Sequence, residues 1–343
     1  MVIQVNIMKR VFKNKQFLIG FSIISGLLSI SILYFLIYQD RIPTVGLLLD
    51  SSGKPIRAPY SGKAYPPLGT DNFGRNIVVV MIVGAKYTIF AGIVISIIRV
   101  VPSIFFGFII HFYLQTIKTP IKYLADTINY FPITLFAFLI LNWVSFQGIL
   151  MMETTNSYWD LVVLYILVVS IVFIPSNSIL IANEVQLINK MEFIECSRTL
   201  GAGSWRIITN HIKPFLMPQL YIIFIREFIQ SLILMAHLGV LSIFIGGIAF
   251  KNDLFGYSKP ISPTSEWAGT LGMWWGFLWT SYPWISLVPI VLLTILILAA
   301  KSILNGLQTV LSSEEQIVSV PDHKSVKQIE SLEPFQLVKE KST

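Results

Sequence analysis

The residues in this chain that could do chemistry are few, and the most conspicuous lie inside apolar blocks. Arg99 falls within residues 86–113, and Arg226, Glu227 and His237 fall within residues 218–248. Catalysis needs a convergent set, such as a nucleophile beside a base, paired carboxylates or several metal ligands at matched spacing. None is legible here. The 4 His are scattered, and the lone cysteine, Cys196, excludes an internal disulfide and a Cys/His zinc cluster. Two Gly-Lys pairs, Gly53-Lys54 and Gly62-Lys63, are followed by Pro55 and Ala64 in place of the Ser or Thr of a phosphate loop, and the positions five before each glycine are Leu48 and Arg57. The expectation is a chain with no catalytic residue, no metal site and no cofactor of its own.

Composition places these charges in a membrane. Of 343 residues, 54% are hydrophobic and 13% charged, about half the charged share of a soluble domain, and the mean hydropathy is +0.71. Lys and Arg total 25 against 18 Asp and Glu. In a membrane chain that excess reports topology and contact with anionic lipid, not nucleic-acid binding. Six blocks are apolar enough to span: 17–38, 86–113, 127–150, 161–181, 218–248 and 282–303. The first has 22 residues without a charge, roughly 33 Å of helix. Lys9, Arg10, Lys13 and Lys15 precede it with no acid, which predicts an uncleaved anchor with its N-terminus inside. Six spans return the C-terminus inside. Segments so placed inside carry 15 Lys and Arg, and those outside carry 7.

The predicted fold is therefore an all-α integral membrane protein of six transmembrane helices, N-in/C-in. It reads as a cytoplasmic tail (1–16), a first helix (17–38), an extracytoplasmic segment (39–77), a core with five further helices (78–310) and a largely disordered cytoplasmic tail (311–343). Within the fifth block, Glu227, Gln230, Leu234, His237 and Leu241 follow three-four spacing and form one stripe, and Arg226 reaches Gln230 at i+4. An ionised group at bilayer depth must find a partner or water. Two readings stand: the stripe borders a water-filled path, with Glu227 or His237 contacting a polar solute, or it makes an interhelix or intersubunit pair. Arg99 has no assigned role, and Pro102 is expected to kink the helix beside it. Trp267, Trp274, Trp275, Trp279 and Trp284 read as an interfacial aromatic belt.

The inner segment 191–218 contains two short helical patterns, 192–200 and 204–212, divided by Gly201-Ala202-Gly203. Ser204 is the expected N-cap of the second, with Pro214 and Pro218 stopping it before the next span. Apolar Phe193, Leu200, Trp205 and Ile208 mix with Glu192, Glu195, Arg198 and Arg206. That composition suits either a helix-turn-helix seated in another protein's groove or an amphipathic element lying on the membrane. On the outer side, Gly69, Thr70, Asp71, Gly74 and Arg75 form a polar turn, read either as a surface for a partner or as a local Asp-Arg pair bracing the second span.

Four regions resemble one family in order and spacing. Glu195-Cys196-Ser197, Gly201 and His211-Ile212-Lys213-Pro214 resemble the cytoplasmic EAA loop of ABC-importer permeases. YPPLGTDNFGRN (65–76), SPTSEWAGTLG (262–272) and YPWISLVPIVLLTILILAAKSILNGLQ (282–308) resemble further motifs of the oligopeptide/dipeptide permeases. Together these cover most of residues 65–310. The chain departs from the pattern at Cys196, Ser197, Lys213 and Asn76, and at His237 or Leu238, where the family has an acidic residue. The resemblance implies the C-type permease subunit of a binding-protein-dependent importer. It would pair with a second homologous permease, two ATPase subunits holding ATP and Mg, and an extracytoplasmic solute-binding protein. Glu195, Arg198, Gly201 and Pro214 would then form the ATPase-coupling loop, and the cargo would be peptides or similar small solutes. An ATP-independent channel or secondary transporter is the competing class, for which the inner loop is merely structural. An intramembrane enzyme lacks the constellation it would need.

Overall fold

A computed structural model describes residues 10–46, 48, 49, 53, 56, 58–150, 158–254 and 256–319, and over these the chain is built almost wholly from helices. Helix α1 (Lys15–Tyr38) is capped by Asn14, whose Oδ1 accepts from the amides of Gln16 and Phe17. Helix α2 (Ile77–Phe112) is capped by Asn76, which accepts from the Val79 amide at 3.2 Å. It starts nine residues before the expected block because Lys86 does not end the apolar run. The Lys86 ammonium lies 2.5 Å from Asp40 at the end of α1 and over the Phe35 ring, so its charge is compensated inside the bundle.

The expected third block is divided. An amphipathic helix α3 (Gln115–Tyr130) precedes Pro132, and the apolar helix α4 (Ile133–Leu150) begins only after it. The fourth block is broken as well: α5 (Tyr158–Ile171) and α6 (Ile174–Asn189) meet at 45°, with Pro175 in the first turn of α6, where its missing N–H and its ring prevent one continuous helix. Helices α7 (Glu192–Thr199) and α8 (Ser204–Ile207) then make the inner turn. A widened turn, Ile208–Ile212, carries α8 into α9 (Lys213–Val240), with Pro214 in its first turn and Pro218 inside it. The two prolines therefore do not separate the turn from the next helix, as expected. Pro214 needs no helical N–H partner where it stands, and the widened turn absorbs the mismatch. Ser204 is the first helical residue instead of the cap, with the Gly203 carbonyl accepting from Ile207.

After α9 an antiparallel hairpin, β1 (Ala249–Asn252) with β2 (Ser258–Ile261), leads into the short helix α10 (Trp267–Trp274), a 3₁₀ segment (Trp275–Trp279) and α11 (Trp284–Ser319). The aromatic belt splits accordingly. Trp267 and Trp274 are core residues, the Trp267 indole donating to the Met81 carbonyl at 2.8 Å, whereas Trp279 is 82% exposed. Backbones meet where α10 crosses α9: a Cβ on Gly272 would stand 1.9 Å from the Gly239 carbonyl oxygen.

Four helical stretches are long and apolar enough to cross a membrane, namely Lys15–Tyr38, Ile77–Phe112, Trp205–Val240 and Trp284–Ser312, and the bent α5/α6 pair makes a fifth. Helix α1 lies along α11, with the Ser302 hydroxyl donating to the Gln16 carbonyl. Helix α2 is central, buried against α6 and α9 by Val100, Ile181, Val185 and Ile223 at one end and by Ile89, Phe228 and Leu232 further along. Helix α11 continues to Ser319, past the expected end of the core; residues 320–343 of the C-terminal tail and 1–9 of the N-terminal tail lie outside the described residues.

Candidate functional site

The inner turn is anchored at one point and open around it. Ile194 of α7 is fully buried in a cluster with Ile188, Ile207, Ile212 and Leu216, which fixes the turn to the ends of α6 and α9. Gly201 takes φ +83°, a conformation that a side chain would strain, and lets the chain reverse between α7 and α8. The surface so presented is apolar at its tip, with Leu200 87% and Trp205 77% exposed, and charged beside it, with Glu192, Glu195 and Arg206 exposed. Arg198 is held back: its guanidinium donates to Asn189 Oδ1 at 2.8 Å at the end of α6, and Asn189 lies 3.3 Å from His111 at the end of α2. The contacts of α7 thereby run to the ends of α6 and α2. Pro214 sits in the first turn of α9.

In the polar turn before α2 the local Asp71–Arg75 pair is formed. Asp71 accepts from the amides of Phe73 and Arg75, both at 2.9 Å, and from Arg75 Nε at 2.8 Å. Thr70 and Asp71 are fully buried and Arg75 is 4% exposed, so these side chains are the internal frame of the turn and present no surface to a partner. Gly69 and Gly74, also buried, complete it with positive φ.

Of the two readings of the stripe, Glu227 makes the interhelix pair. Glu227 is 4% exposed and accepts from Arg99 Nη1 at 3.0 Å, a pair 128 positions apart in the chain. Arg99 Nη2 donates to the Val169 carbonyl at 2.9 Å, and the guanidinium lies 3.8 Å from the Phe173 ring centre. Both contacts fall at the break between α5 and α6, where a carbonyl loses its helical partner. The Ser103 hydroxyl, 2.6 Å from the Arg99 carbonyl and 3.2 Å from that of Ile174, ties α2 to the start of α6 beside the break. Arg99, which sequence reasoning left unassigned, is thus the residue that joins α2 to α9 and to the α5/α6 break. The signal was available: two opposite charges in separate apolar blocks, each too costly to stand alone.

Of the remaining stripe, Leu234 is buried while Gln230 and His237 are exposed, and His237 Nδ1 lies 3.3 Å from the Thr134 hydroxyl of α4. Arg226 is exposed and, among the described residues, makes no ion pair or hydrogen bond. A further buried acid, Glu266, was missed. Its Oε1 accepts from the Ile245 amide at 3.1 Å, and the hydroxyls of Ser262 and Thr264 donate to Oε2. Burial pushes this carboxyl above its ordinary range, with the hydrogen bonds from Ser262 and the Ile245 amide opposing the shift. Among the described residues no group of His, Cys, Asp and Glu could hold a metal ion.

No family model matches the chain. It is 22% identical over 266 residues, 76% of its own length and 79% of the relative's, to proteins named as peptide transport system permeases in Brucella suis and Brucella abortus. It is 24% identical over 176 residues, 51% of this chain and 54% of the relative, to the glutathione transport system permease protein GsiD of Pectobacterium atrosepticum.

Proposed function

We propose that this chain, a multi-pass membrane protein of the oligopeptide/dipeptide permease family, is the transmembrane permease subunit of an ABC importer and forms half of a translocation path for peptides or similar small solutes. The observation that carries the reading is the inner turn. A rigid helix, anchored by Ile194 and wired through Arg198 to α2 and α6, offers an exposed Leu200–Trp205 tip to a partner. Likeness to permeases of peptide and glutathione transport systems supports the same conclusion.

In this reading α1, α2, α4, the bent α5/α6 pair, α9 and α11 are the six spans, N-in and C-in. The start of α1 meets α11 at Ser302, the ends of α2 and α6 meet through His111 and Asn189, and the α7–α8 turn packs on α6 and α9, an arrangement that supports a cytoplasmic turn. ATP and Mg belong to two separate ATPase subunits, a second homologous permease completes the path, and an extracytoplasmic binding protein delivers cargo. Closure of the ATPases displaces α7. Because Arg198 and Ile194 bind it to α6 and α9, the displacement reaches the α5/α6 break, where Arg99 and Glu227 join α2, α9 and the bend. Glu195 and Gly201 serve contact and turn in this scheme. Gln230 and His237 face the path, whereas Glu227 holds the helices that frame it.

Crosslinking tests the reading. Single cysteines at Glu195 and Leu200, introduced in a Cys196→Ser background, should link to an ATPase subunit in membranes, and the linked complex should lose ATP-driven uptake. Uptake that continues without any ATPase chain would favour the ATP-independent channel.

A further inference from the structure

Arg226 is the fourteenth of the 28 residues of α9, about 20 Å of helix from either end. It is exposed on the isolated chain and, among the described residues, has no ionic or hydrogen-bonding partner. Hydrocarbon on that side would hold an unpaired guanidinium at mid-span, so the face fronts water or a carboxylate. The residues sharing the face identify which.

Gln219, Arg226, Gln230, Ile233 and His237 stand at intervals of 7, 4, 3 and 4, within about a quarter-turn of one another. At the inner end, Gln219 opens into a cleft of about 540 Å³ that is also lined by Gln16, Asn305, Gln308 and Thr309. At the outer end, His237 meets Thr134. The lane therefore carries polar side chains at Gln219, Arg226, Gln230 and His237, with Ile233 among them, and Arg226 is its one charged member among these residues. The nearest acid, Glu227, points away and is committed to Arg99.

We infer that Arg226 is an anion-binding point of the translocation lane, receiving the free carboxylate of a cargo molecule midway across the membrane. The inference rests on the importer reading and narrows its cargo to solutes with a free carboxylate, such as peptides with an unblocked C-terminus. A planar guanidinium engages a carboxylate through two parallel hydrogen bonds, and the amides of Gln219 and Gln230 suit the peptide groups that trail it.

The test uses the complete importer in proteoliposomes, with its second permease, ATPases and binding protein. Uptake of labelled tri-alanine is compared with uptake of its C-terminal amide. Arg226→Gln should raise KM for the free acid by about 10- to 100-fold while leaving the amide within about twofold, and Arg226→Lys should restore much of the loss. Comparing variant with wild type for each peptide cancels any preference of the unaltered binding protein. Equal loss for both peptides overturns the inference, as does loss of the second permease from the purified Arg226→Gln complex, which would make Arg226 an intersubunit ion pair. A wild-type complex that purifies without ATPase chains refutes the importer reading itself, and the inference with it. A complete importer that takes up neither peptide on addition of ATP overturns the inference alone.

Discussion

A guanidinium has five N–H donors, and one carboxylate cannot satisfy them, so a buried arginine gathers whatever acceptors its surroundings leave free. Arg99 gathers Glu227 and the carbonyl released at the α5/α6 break. Arg99→Met should strand Glu227 as an uncompensated charge and destabilise the fold by about 3–5 kcal/mol, whereas Arg99→Met with Glu227→Leu should recover most of that loss. Detergent melts of the single and double variants measure the difference. Glu266 sets a second expectation. Its carboxyl is raised by burial above the ordinary value of 4.5, so the folded chain holds a proton that the unfolded chain releases. The stability this contributes is complete below the unfolded value and is lost as pH rises through the folded one, so the melting midpoint should fall with rising pH across that interval, and Glu266→Gln should flatten the dependence.

At the scale of the element, burial divides the inner turn into an anchor and a tip. Leu200→Asp with Trp205→Asp should remove the ATPase chains from the purified complex while membrane levels of the permease hold, because both side chains face outward. Ile194→Asp should lower those levels as well, since it places a charge in a closed apolar cluster. Gly272→Ala should cost about 1–3 kcal/mol or more by forcing α10 off α9, read as a lower melting midpoint. The turn itself was legible because Gly201 and the mixed composition around it are local signals. The breaks at Pro132 and Pro175 were also written locally, yet hydropathy averages across a proline and reports one block where the backbone makes two segments. Pro214 misled for the opposite reason: a proline both ends one helix and begins another, and only the hydrogen-bond pattern around it distinguishes the two.

For the whole molecule, the arrangement of ends predicts the topology. The start of α9 and the ends of α2 and α6 pack around the inner turn, while Leu254, after the first hairpin strand, packs beside Gly74 of the Asp71–Arg75 turn. A cysteine replacing Gly203 should react with a membrane-impermeant maleimide only after the cells are opened, and one replacing Lys63 should react in intact cells, both in the Cys196→Ser background. The reverse pattern would remove the turn from any cytoplasmic motor.

Sequence alone settled what depends on composition and short spacing: a helical membrane protein, a glycine-hinged turn and a family resemblance. These follow from hydrophobic blocks and local backbone preference, which act over a few residues. Pairing of Arg99 with Glu227, closure of Asp71 and Arg75 into an internal frame, division of the tryptophans between core and surface, and exposure of Arg226 beside a buried Glu227 were decided only by tertiary structure. Helical spacing groups residues by face but does not say which face meets a neighbour, and a charge selects its partner by distance in space, which for Arg99 lies on another helix 128 residues away.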